Sequence, residues 1–163
     1  MNCTPLAGRV ARELRLVEQR EGFPRSQSIT SLTALWRSKA NDGRLPSRTD
    51  FGFETLRPWI GDVSLVDVVS NPIRFRWRLI GTNIVDYMGR DSTGKWFADI
   101  YDDHWLAIHT TAYMASVTRR EPVFYRGNLE YVGKDHRFFR SVHLPLAADG
   151  ETVDMLLLCL DFS

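Results

Sequence analysis

The sequence predicts an α+β domain: an antiparallel sheet with one central strand, and a helical segment inserted between the second and third strands. Three observations carry this. Phe75, Trp77 and Leu79 alternate with Arg74, Arg76 and Arg78, the period of a strand with one apolar face. Met155-Leu-Leu-Leu-Cys-Leu160 is apolar at every position, as expected of a strand buried on both faces in the middle of a sheet. Between these strands, Asn83 to Met88 and Asp102 or Asp103 to Arg119 have helical length and few breakers.

A length of 163 residues fits one domain with an arm, read as an N-terminal helical arm over 1–27 and a domain over 28–163. The 44% hydrophobic content is enough to fill a core. The net charge of +1 gives no strong attraction to nucleic acid or to an anionic membrane, so neither is expected as a partner. Cys3 and Cys159 lack metal or redox spacing, which points to a reducing compartment. Met1 to Arg12 holds no apolar signal-peptide core, and the run Met155 to Leu160 is too short to span a bilayer. A soluble, cytoplasmic protein is expected.

In chain order, Pro5 to Arg20 reads as a helix, with Leu6, Val10, Leu14 and Val17 on one stripe and Arg9, Arg12 and Arg15 on the other side. That narrow apolar stripe is a candidate dimerisation face. Glu21-Gly22-Phe23-Pro24 stops the helix. Ser28 or Thr30 is the expected cap of a second helix that buries Ile29, Leu32, Trp36 and Ala40 and ends at Asn41-Asp42-Gly43. Phe53 to Trp59 forms a helical turn. Val63 to Val69 and Ile73 to Ile80 make a hairpin across Asn71-Pro72. After the helices, Glu121-Pro122 breaks the chain, and Val123 to Val132, Arg137 to Leu146 and Val153 to Phe162 form an antiparallel meander.

In that element order, Leu45-Pro46-Ser47-Arg48 followed by Asp50, then Leu65, Asp67, Arg76, Arg78-Leu79-Ile80-Gly81-Thr82, Gly89-Arg90-Asp91-Ser92-Thr93-Gly94 and Pro145-Leu146 resemble the PAS sensor fold. More closely, they resemble short, stand-alone bacterial PAS-like proteins, over about Ser31 to Phe162. The resemblance implies a PAS-like five-stranded antiparallel sheet with the last strand central, and sensing or protein interaction without enzymatic activity. It also implies a homodimer formed through an N-terminal helix, a role for Leu6, Val10, Leu14 and Val17. It fixes no ligand, so the cofactor is left unknown.

Gly89 to Lys95 approaches a phosphate-binding loop, but Trp96 follows where a Ser or Thr would hold magnesium. His104 and His109 diverge by about 140° on a helix, and His136 and His143 face opposite ways on a strand, so no metal set forms. His109 alone falls where some PAS domains ligate haem, and is otherwise an ordinary helix histidine. The light-sensing subclass carries a reactive cysteine after the second strand. Ile84 to Met88 has none, and Cys159 reads as a small core residue. Ser141, His143 and Asp161 suggest a hydrolase triad, but no nucleophile-elbow motif accompanies them. The row Arg74, Arg76 and Arg78 reads as a solvated face, or one paired with an acid such as Glu130.

If there is a ligand pocket, it is expected between sheet and helices, lined by Trp77, Tyr87, Met88, Tyr113 and His143. The expected function is a sensory or signalling domain that binds a small ligand or a protein partner and reports through helix packing and dimerisation. The alternatives are a ligand-free interaction module and, less favoured, a small enzyme or haem sensor.

Overall fold

The sheet sets the architecture. The computed structural model describes residues 16–20, 26–129 and 134–162. Within them run β1 (Val17–Gln19), β2 (Val63–Val69), β3 (Arg74–Ile80), β4 (Val123–Leu129), β5 (Lys134–Leu146) and β6 (Met155–Phe162). They pair antiparallel in the order β1-β4-β5-β6-β2-β3. The all-apolar β6 is central, between β5 and β2, and its Leu156, Leu157, Leu158 and Cys159 are fully buried.

There are six strands where five were expected. The extra one contains Val17, which was expected on a helix and instead extends the sheet. Val17 pairs with Arg126, Glu18 with Tyr125 and Gln19 with Phe124. The pairing covers the otherwise open backbone edge of β4, which outweighs the helical spacing of an isolated stripe. Leu6, Val10 and Leu14 lie outside the described residues.

Helix α1 (Gln27–Lys39) starts before both expected caps: the Ser26 hydroxyl accepts the Ile29 amide at 3.2 Å, while Ser28 and Thr30 lie inside the helix. Ile29, Leu32 and Trp36 are buried as one face. A short helix, α2 (Phe53–Leu56), and a 3₁₀ turn (Arg57–Trp59) lead into β2. Between β3 and β4 come α3 (Thr82–Met88), α4 (Phe97–Ile100) and the long α5 (Asp103–Arg119). Asp102 caps α5 by accepting the Trp105 amide at 2.9 Å. Two glycines shape the insertion. Gly81 lies against backbone, where a Cβ would come within 2.4 Å of the Gly61 carbonyl oxygen. Gly89 ends α3 at φ 77, a conformation that favours glycine. Among the described residues no helix is long and apolar enough to cross a membrane.

The alternation of β3 breaks before its end. Leu65 pairs with Leu79 and Val66 with Trp77, so Arg78 is the extra residue of a β-bulge. Trp77 and Ile80 therefore face the same side, and Leu79, expected inward, is turned out and 39% exposed. The arginine row finds its acid on the neighbouring strand. Asp67 accepts Arg76 at 2.9 and 3.0 Å and Arg78 at 3.2 Å. Arg74 and Arg76 also lie over the Trp96 ring. Glu130 lies outside the described residues.

Register assigns each side of the sheet its own row. Leu65, Leu157 and Leu144 stand in line on one side, with Val63, Cys159 and Val142 beside them. Helix α1 packs on β5 and β6 over this side. Ser64, Leu158 and His143 line up on the opposite side, under α5, whose Tyr113 ring meets that of His143 at 4.4 Å.

Candidate functional site

The second row is where the sheet departs from a plain core. Strand alternation puts Ser64 on β2 and Ser141 and His143 on β5 onto the face that α3 to α5 cover, and the bulge adds Trp77 and Ile80 from β3. Leu158 and Leu160 of β6 and Ile84 and Met88 of α3 supply apolar wall. His109 and Tyr113 come down from α5, Tyr101 from the turn before it, and Leu16 closes the side next to β1. Arg90, exposed, stands at the rim. The space enclosed is about 50 Å³. One water needs roughly 10–15 Å³, so the cavity holds a few waters or a small molecule. Cofactor pockets run to roughly 300–1,000 Å³, so neither haem nor flavin fits it as it stands.

Four polar atoms at this cavity are buried without a hydrogen-bond partner: Ser64 Oγ, Trp77 Nε1, Ser141 Oγ and His143 Nδ1. They are the complete set of such side-chain atoms among the described residues, and all four belong to cavity-lining residues. A buried polar group left unpaired costs about 1–3 kcal/mol, so the gathering of all four residues around one cavity sets this face apart from an ordinary core. The Trp77 indole lies near enough to the Tyr101 hydroxyl to act on its titration, without reaching hydrogen-bond geometry.

Burial also sets the protonation states. Desolvation, with a smaller contribution from the neighbouring His109, pushes the His143 pKa down to about 3. Desolvation brings His109 to about 4, against a hydrogen bond between its Nδ1 and the Trp105 carbonyl at 2.9 Å that works the other way. Tyr101 stacks on the His109 ring at 4.2 Å, and burial raises its pKa to about 12. At neutral pH the cavity interior is uncharged.

Of the residues singled out in the sequence, Trp77, Met88, Tyr113 and His143 line this cavity together, and His109 joins them. Tyr87 does not: its ring stacks on Phe162 at 4.0 Å, half-buried. Asp161 pairs in register with Arg140, one residue out of phase with Ser141, so it lies on the opposite face from Ser141 and His143 and no triad assembles. Cys159 is buried on the α1 side, where desolvation lifts its thiol to about 12. Gly89 to Lys95 is a turn in which Asp91 Oδ1 accepts the Thr93 amide and hydroxyl at 3.0 and 2.6 Å. Sequence reasoning missed Ser64, Tyr101, Arg90 and Leu16. Ser64 left a faint signal, as a hydroxyl inside an otherwise apolar strand on the inward phase.

A sheet with a central last strand, a helical insertion after the hairpin and a cavity between them agrees with the family comparison: a model described as PAS domain matches residues 24–160. The chain belongs to the PAS domain family. PAS domains are sensory and signalling modules. No curated protein matches the chain. Among solved structures, this PAS domain is similar to the PAS domain of histidine kinase ThkA, with 17% identity, a TM-score of 0.42, and coverage of 61% of this chain and 98% of that one. It is also similar to an RNA-binding light-oxygen-voltage receptor, with 12% identity and a TM-score of 0.45 over 91% of this chain. It spans 39% of that receptor's length.

Proposed function

We propose that this PAS domain is a sensor that takes a small molecule into the cavity between β2, β3, β5, β6 and α3 to α5, and passes its occupancy to the N-terminal segment. The observation that carries the reading is the gathering of four residues with unpaired, buried polar atoms around one cavity. A route outward is built into the same contacts. Leu16 touches the cavity and leads directly into β1. Glu18 of β1 is held by Arg119 at the end of α5 through two hydrogen bonds, one of them at 3.1 Å. That contact keeps the Glu18 carboxyl below its ordinary pKa. Tyr125 of β4 donates to the Ala112 carbonyl of α5 at 2.8 Å, joining strand and helix at the same place. A ligand that shifts α5 or Leu16 changes how β1 sits on β4, and the segment before it carries the change to a second copy of the chain or to a partner signalling protein.

Two measurements test this. The protein as purified is denatured and extracted, and the extract is compared by mass spectrometry with that of a Ser64→Leu, Ser141→Leu variant whose cavity is filled. A compound released by the first and absent from the second is the expected result; identical extracts, together with no small-molecule binding to the stripped protein, would leave a ligand-free interaction module. Sedimentation of the full chain and of residues 16–163 then tests assembly. Loss of a dimer on truncation is expected, and an unchanged mass contradicts a role for the N-terminal segment.

A further inference from the structure

The proposed ligand can be given a chemical class, an inference that rests on the sensory reading above. The four unpaired atoms belong to cavity-lining residues on three strands: Trp77 of β3, Ser64 of β2, and Ser141 and His143 of β5. Trp77 Nε1 is a donor only, so an occupant has to present an acceptor to it. The Ser64 and Ser141 hydroxyls can donate or accept, and the imidazole at His143 can do either according to tautomer. A carboxyl group, with two oxygens and one titratable proton, fits that set. An alcohol or amine offers fewer acceptors. Among the four residues, on the same face of the sheet, Leu158, Leu160 and Ile80 supply apolar surface suited to a short hydrocarbon tail. A space of about 50 Å³ limits that tail to a few carbons.

Charge decides the form in which the acid is held. The groups around His143 are the His109 and Tyr113 rings from α5 and the Tyr125 ring from β4 at 4.9 Å, with Ser64 and Leu158 alongside in the sheet. Tyr101 stands beyond His109, and Arg90, at the exposed rim, is the one cation among the described residues that line the cavity. With no ionised partner inside, an isolated carboxylate would be buried at a large cost. We propose that the cavity binds a short-chain monocarboxylic acid together with one proton, its carboxyl group taking its hydrogen bonds from among Ser64, Trp77, Ser141 and His143. The proton rests either on the acid or on His143, and the bound pair is neutral in both cases. Arg90 at the rim favours the approach of the anion from solution.

Calorimetric titration of the stripped, full-length protein with acetate, propionate, butyrate and valerate at pH 6, 7 and 8 tests the inference, with butyramide and 1-butanol as uncharged controls. The expected result is that one or more acids bind in preference to the controls, with a Kd that rises about tenfold per pH unit, the signature of one proton taken up. Ser141→Ala, checked for folding by circular dichroism, is expected to weaken the acid about tenfold, and Ser64→Ala serves if the first does not fold. An acid affinity that does not change with pH overturns the inference. Butyramide or butanol binding as well as butyrate also overturns it, while leaving the sensory reading in place. No binding by any acid overturns it too, and extraction of a different compound from the purified protein then shows that the class alone was wrong. An empty extract and no binding by acids or controls defeat both.

Discussion

Two buried indoles distinguish the two faces of the sheet. Trp36, on the α1 side, donates to the Pro145 carbonyl at 2.9 Å. Trp77, on the α5 side, is as deeply buried and has no acceptor. The same contrast runs along the rows beneath them. Leu65, Leu157 and Leu144 form a dry, close-packed line, while one residue away on each strand, in the row Ser64, Leu158 and His143, the serine and the histidine carry unpaired polar atoms beside a cavity. Burial is nearly equal on both sides, so burial does not tell a core from a site. Polar satisfaction does: among the described residues, the buried side-chain polar atoms left without a partner all lie on the second face.

Acid should break the second face first. Burial holds His109 at about 4 and His143 at about 3 in the folded chain, both depressed from an unfolded value near 6.5. Below that value the unfolded chain binds more protons, so the stabilisation is full above about pH 6.5 and is lost as pH falls toward 4 and then 3. The loss by pH 4 is on the order of 5 kcal/mol. Urea unfolding at pH 7, 5.5 and 4.5 measures it, and His143→Phe should flatten the slope. A slope unchanged by that substitution would place the acid sensitivity elsewhere.

On the dry face, Leu157→Ala should cost about 3 kcal/mol, because the neighbouring leucines cannot close the gap. Equilibrium unfolding reads this directly, and a cost below 1 kcal/mol, on the order of a surface truncation, would mean that this side is not packed as described. A smaller pair of effects sharpens the comparison further. Trp36→Phe leaves the Pro145 carbonyl unpaired and should cost about 1–2 kcal/mol. In the stripped protein Ser64→Ala should be neutral or stabilising by up to about 1 kcal/mol, since it removes a hydroxyl that has no partner. Equal costs for the two would erase the distinction between the faces.

Much of the frame was legible because it depends on local pattern. β6 could be placed at the centre because an apolar residue at every position leaves no face for water. α5 could be bounded because Asp102 caps it and Glu121-Pro122 interrupts the chain soon after its end at Arg119. What escaped depended on pairing between distant segments. Nothing in Arg78-Leu79-Ile80 announces a bulge, since the alternation continues through it, and only the register against Leu65 and Val66 reveals that Leu79 turns out. Val17 fits a helical stripe as well as a strand, and three residues of β1 are too few to show a period of two. The site was partly legible for the same reason. Trp77 and His143 lie on strand phases that point inward, whereas Tyr87 belongs to a helix whose rotation sequence does not specify, and it turned to Phe162. Ser64 was hidden because a single serine in an apolar strand looks like a tolerated residue until its partner is sought.

The measurement that tests the central claim most directly is the indole N–H region of a ¹⁵N-correlated proton spectrum, with the Trp77 and Trp36 signals assigned by substitution. The stripped protein is titrated with the compound extracted from it or with the best-binding acid. The account predicts that the Trp77 indole signal moves and saturates as its N–H gains an acceptor, while the Trp36 signal, already bonded to Pro145, stays in place. A Trp77 signal that remains fixed while ligand binds, or two indoles that shift together, would contradict it.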